Sequence, residues 1–129
     1  MDFLRRVWQN GFAMQKIERW RIEELTLVLK EMVSLLKRGE NREWANVFEH
    51  FLLEAEGILL RDAFNLEEFK RLVQNILCCY LEGDSFRSLE IEEGRKDALQ
   101  DLNQKLNRLK GRLYYLLTDL QTRFVEYIH

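Results

Sequence analysis

A chain of 129 residues, 47% of them hydrophobic, is long enough for one domain around one core and too short for two ordinary ones. It has no proline, six glycines and 33% charged residues, which removes most obstacles to helix and supplies the polar faces amphipathic helices need. The expected class is all-α, and a net charge of -2 argues against nucleic-acid binding, which draws on an excess of Lys and Arg on one face.

In chain order, the first helical stretch runs from about Asp2 to Lys37. Met14, Ile17, Leu25, Val28, Met32 and Leu35 form its stripe, in mostly three- and four-residue steps. Gly11 bends or splits it, leaving residues 1–11 as a possible separate short helix, because glycine inside a helix costs roughly 1 kcal/mol relative to alanine. Lys37-Arg38-Gly39 reads as a helix end, with cations at the C-terminal dipole and glycine just past the cap. A second helix starts at Asn41 and buries Trp44, Val47, Phe48, Phe51, Leu52, Ala55, Ile58 and Leu59. Asn65 followed by Glu67 and Glu68 resembles an N-cap with acids in the first turn. The third helix that follows buries Leu66, Phe69, Leu72, Val73, Ile76, Leu77 and Tyr80. Gly83 and Asp84 end it, and Asp84 to Gly94 forms the longest loop, with Phe86, Leu89 and Ile91 as apolar pins.

The last element carries a leucine ladder. Leu99, Leu102, Leu106, Leu109, Leu113, Leu116 and Leu120 are spaced 3-4-3-4-3-4, the a/d pattern of a helix lying along another helix. Its middle is basic, with Lys105, Arg108, Lys110 and Arg112, and Glu18, Glu23, Glu24 and Glu31 on the first helix are the expected complement. An antiparallel four-helix bundle with long first and last helices, a single domain over 1–129, is the leading architecture. The same ladder would serve pairing between two chains equally well.

Residues able to do chemistry are few. His50 and Glu54 share a helix face but lack further metal ligands. The adjacent cysteines Cys78 and Cys79 lack the two-residue gap of redox or zinc motifs and read as core filling in a reducing, cytoplasmic setting. Glu23-Glu24, Glu67-Glu68 and Glu92-Glu93 are not accompanied by the Glu-x-x-His on each of two facing helices that di-iron bundles require, the one such spacing being Glu126 to His129 at the end of the chain, and there is no Gly-rich phosphate loop. No enzyme activity, cofactor or metal is expected. No apolar run reaches the roughly 18 residues of a membrane span, and the start Met1-Asp2-Phe3-Leu4-Arg5-Arg6 leads into charged, amphipathic sequence.

Two features point to a protein partner. Trp8 and Phe12 share one helix face and, with Trp20, add aromatic area beyond the core stripe, as interaction anchors or as a cap on one end of the core. Asp84, Glu90, Glu92 and Glu93 form an acidic edge set against only Arg87 and Arg95, suited to steering a basic partner or simply solvated.

From about Leu35 to Ile91 the chain resembles a family of small, uncharacterised bacterial helical proteins. The likeness lies in Leu35-Leu36 and Gly39 before Trp44-Ala45, then Ser85-Phe86, Leu89 and Ile91 after a helix. The glycines and the Asn-Asp pair that mark the family's last motif are absent from Leu81 to Leu89, and the leucine helix lies outside the likeness. The resemblance implies an immunity-type protein that neutralises a toxin of competing bacteria, and it transfers no catalytic residues. The expected function is therefore a non-catalytic, cytoplasmic protein-binding module that covers a partner surface. The alternative is a structural homodimer paired through the leucine helix.

Overall fold

Among the described residues, the four long stretches in which apolar residues recur in three- and four-residue steps are helical. The computed structural model describes residues 17–92 and 94–128. It contains α1 (Arg19–Arg38), α2 (Arg42–Leu60), α3 (Leu66–Leu81) and α4 (Lys96–Ile128). Each helix packs on its chain neighbour, and α4 returns to α1, closing a ring of four. Cross-links give the directions. Lys30 meets Glu56 and Lys37 meets Glu49 between α1 and α2. Arg21 meets Asp119 and Glu31 meets Arg112 between α1 and α4. In each pair one number rises as the other falls, so these neighbours are antiparallel, and Tyr80 on Lys110 with Phe69 on Phe124 gives the same sense for α3 and α4. The fold is an antiparallel four-helix bundle.

The two asparagine caps are where the residue pattern places them. Asn41 Oδ1 accepts the Trp44 N–H at 3.1 Å, and Asn65 Oδ1 accepts the Glu68 N–H at 3.0 Å, each satisfying an amide with no intrahelical partner. The burial of α3 also follows its sequence pattern, from Phe69 through Tyr80, with Leu66 half-buried at its start.

Four expectations are corrected. The first helix does not run from Asp2: Glu18 is extended (φ -78°, ψ 144°), so α1 begins at Arg19 with Ile17 buried ahead of it. The part of that expectation before Ile17, with Gly11 and Met14, lies outside the described residues, and α1 is no longer than α2 by more than one residue. Second, Gly39 is the C-cap itself, not the residue past it. Asn41 N–H bonds Leu36 O and Glu40 N–H bonds Lys37 O, which is the Schellman pattern. The left-handed position is Glu40 (φ 57°), while Gly39 has φ -85°. Gly39 is small for another reason: a Cβ there would lie 2.7 Å from Ile91 Cδ1 and 2.9 Å from Ile91 Cγ2. Third, Trp44, Val47, Phe51, Leu52 and Leu59 are half-buried rather than buried, because α2 lies along α1 but meets α3 only sparsely.

The fourth correction concerns the ladder. Leu106, Leu113 and Leu120 are buried, but Leu99, Leu102, Leu109 and Leu116 are half-buried at its flanks. The buried line is Leu106, Lys110, Leu113, Leu117, Leu120 and Phe124. A straight helix drifts relative to a strict heptad, and α4 faces two helices, so its core stripe is wider than one seam. The ladder packs against helices of its own chain.

Gly39→Ala is expected to destabilise the protein by about 1–3 kcal/mol through overpacking, since all of Ile91 must move. Urea unfolding of Gly39→Ala in an Ile91→Ala background checks this: there the added methyl should cost less than about 0.5 kcal/mol. An equal cost in both backgrounds would place its origin elsewhere.

Candidate interaction site

The loop between α3 and α4 makes a turn in which Ser88 N–H donates to Asp84 O and Leu89 N–H to Phe86 O, and other backbone groups of the loop need partners from elsewhere. Two side chains of α4 supply them. Asn103 pairs with Ile91 on both sides, its Oδ1 accepting Ile91 N–H at 2.7 Å and its Nδ2 donating to Ile91 O at 3.0 Å. Lys110, 8% exposed, donates from Nζ to Arg87 O at 3.1 Å and Leu89 O at 2.7 Å. The Tyr80 hydroxyl donates to Lys110 O at 2.7 Å. Burial pushes the Lys110 ammonium below the ordinary lysine value, and the Glu90 carboxylate opposes that shift.

Phe86 drives the loop into the core. Its ring centroid lies 5.1 Å from Trp44, 5.1 Å from Phe48 and 5.0 Å from Tyr80, with the Lys110 Nζ 5.8 Å away. The three apolar pins expected of this loop are therefore pins in fact, with Phe86 and Ile91 buried and Leu89 half-buried.

Held this way, the loop lies against the α1–α2 turn. Glu90 and Glu92 line a groove of about 240 Å³ together with Glu40 and Glu43, and Arg42 is the cation among its described lining residues. Half of the expected acidic edge thus belongs to a larger cluster. Asp84 does not join it, being ion-paired to Arg87, and Glu93 lies outside the described residues, as do Trp8 and Phe12. Arg95 pairs with Asp97 at 3.7 Å. Glu40 and Glu43 were missed because nothing local joins positions so far apart in sequence. The only hint was Gly39 near a tight turn.

The remaining candidates are dispersed. Trp20 is exposed with the Arg21 guanidinium 4.3 Å from its ring. His50 and Glu54 are exposed on α2, and no group of three His, Cys, Asp or Glu able to hold a metal occurs among the described residues. Cys78 and Cys79 are free and half-buried, and Cys79 packs against the core. Burial, helped by the neighbouring Cys78, pushes the Cys79 thiol up to about 11. Of the basic residues in α4, Arg112 meets Glu24 and Glu31 at 4.0 and 3.9 Å, Lys110 turns inward, and Lys105 pairs within its own helix with Asp101. Glu18 and Glu23 pair with Arg21 and Arg19 of α1. The expected complementarity between α1 and α4 thus rests on Arg112, joined by Arg21 reaching Asp119 at 3.0 Å.

Lys110→Met keeps the volume and removes the donor, leaving two carbonyls unpaired. It should cost roughly 1–3 kcal/mol and speed amide exchange from Asp84 to Glu92, whereas unchanged exchange would show the loop to be held without it. The Cys79 thiol has an unfolded value near 9.0 and a folded value of about 11. The folded state thus keeps a proton the unfolded state has lost, so this part of the stability is present below pH 9 and disappears toward pH 11. Cys79→Ala should flatten the alkaline decline in urea midpoint. In a Cys78→Ser variant, which keeps the burial but loses the Cys78 part of the shift, Cys79 at pH 8 should alkylate at least about tenfold more slowly folded than unfolded, in line with its thiolate fraction. No family model, curated protein or solved structure matches the chain.

Proposed function

We propose that this protein is a non-catalytic protein-binding module of the bacterial immunity type. It acts in the cytoplasm by laying an acidic surface over a basic region of a partner such as a toxin. The observation that supports this reading is the convergence of Glu40, Glu43, Glu90 and Glu92 on one groove. These carboxylates come from two segments far apart in sequence, each held rigidly: the turn by the Asn41 cap, the loop by Asn103 and Lys110. A preformed array of like charge loses little entropy on binding and speeds encounter with an opposite charge. Two free thiols fit a reducing compartment. Among the described residues no helix is long and apolar enough to cross a membrane.

The test is capture of partners on immobilised protein, wild type against Glu40→Lys/Glu43→Lys/Glu90→Lys/Glu92→Lys, with circular dichroism as the control for folding. A basic protein should be held at low salt, released as the Debye length shrinks below about 8 Å, and bound at least about tenfold more weakly by the variant. Equal capture by both proteins, or release independent of salt, would remove the acidic groove from the function.

A further inference from the structure

A second groove, of opposite sign, runs between α1 and α4. It encloses about 600 Å³, and its lining holds the cations Lys30, Arg38, Lys105, Arg108 and Arg112 with Glu31 as the acid among the described lining residues. Three of these cations have ion-pair partners: Lys30 on Glu56 at 3.8 Å, Lys105 on Asp101 at 3.0 Å, and Arg112 on Glu24 and Glu31. Arg38 and Arg108 have none among the described residues, and both are exposed. Beneath them the floor is apolar, formed by Leu35, which is buried, and Leu109, which is half-buried.

We infer that this groove binds an acidic, amphipathic peptide segment of a partner protein. Its carboxylates would meet Arg38 and Arg108, and one apolar side chain would rest on Leu35 and Leu109. Guanidinium groups favour this occupant because their planar fork matches a carboxylate with two parallel hydrogen bonds. The apolar floor favours it over a phosphate backbone, which has no apolar group to offer there. Recognition of acidic motifs by clustered arginines is a recurring mode of peptide binding. The inference is independent of the acidic groove, since the two share no lining residue.

The test is fluorescence anisotropy of the full chain with a short fluorescein-labelled peptide of glutamate and leucine. The same peptide with serine for leucine and a labelled oligothymidylate serve as comparison probes. The Glu-Leu peptide should bind best, and Arg38→Gln/Arg108→Gln should weaken it by about tenfold or more. Lys70→Gln/Arg71→Gln, in the separate groove between α3 and α4, should leave it unchanged, as should Glu90→Lys/Glu92→Lys. Equal binding of all three probes would overturn the proposal by showing unspecific attraction of polyanions. So would a peptide affinity untouched by the arginine substitutions. A solution mass near twice 15.7 kDa that reverts to monomer in Arg38→Gln/Arg108→Gln would equally overturn it, by assigning the groove to a second copy.

Discussion

The contact on which the rest of this structure depends is the ammonium of Lys110 set beneath the loop that joins α3 to α4. A buried cation is expensive unless its hydrogen bonds are met. Here two carbonyls of the loop, Arg87 O and Leu89 O, meet them, with the Phe86 ring alongside. The arrangement solves two problems at once. A connection too long for a tight turn, whose own turn satisfies only part of its backbone, gains donors from a helix already fixed in the bundle. The lysine gains acceptors where water is largely excluded. Tyr80 closes the arrangement by bonding Lys110 O from α3, so the loop and both helices it connects share one polar network. Such a network specifies a single arrangement because a partial one leaves buried groups unmet.

That clasp explains which parts of the fold the residue pattern reveals. Helix positions, both asparagine caps and the burial of α3 depend on neighbours a few positions away, and periodicity reads them directly. Lys110 defeats the same reading. A lysine among Lys105, Arg108 and Arg112 looks like part of a solvated basic face, yet it occupies the position between Leu106 and Leu113 on the buried line. Its acceptors lie 21 and 23 residues away in a segment without periodicity. Gly39 misleads in a similar way. Its position at a helix end suggests the left-handed residue, but the space it leaves is filled by Ile91, and Glu40 takes the strained conformation instead, at a cost of roughly 1–2 kcal/mol. The candidate site was legible only in part for the same reason: Glu90 and Glu92 stand out in the loop, whereas Glu40 and Glu43 join them only through the clasp.

A net charge of -2 conceals a segregated surface. The carboxylates gather at the α1–α2 turn and the cations along the α1–α4 groove, with Arg38 only two residues from Glu40. Most exposed ion pairs between helices contribute about 0.2–1 kcal/mol, too little to account for the bundle, whose stability comes from the buried apolar stripe. What remains to be explained is charge left without a partner. Four acids held together around one groove, and two arginines without an ion-pair partner among the described residues over an apolar floor, both forgo stabilisation the chain could have gained by alternating signs. Stability does not ask for either arrangement, and recognition does.

The distinction between scaffold and recognition surface also bears on the resemblance to small bacterial helical proteins expected from the sequence, which no comparison with known proteins supports. Gly39, Trp44, Phe86 and Ile91, four residues from which that expectation is read, meet in two pairs: Ile91 lies against Gly39, and the Trp44 and Phe86 rings are 5.1 Å apart. They are scattered in sequence because they are joined in space, as the apolar half of the clasp. A likeness confined to such residues concerns how the loop is folded onto the bundle, and a scaffold of this kind leaves function open. Partner choice would instead be written in the charges the clasp exposes. Two chains sharing the clasp but differing at positions 38, 40, 43, 90, 92 and 108 would have the same bundle and different partners, because charges at an interface rim exclude wrong partners at little cost to the fold.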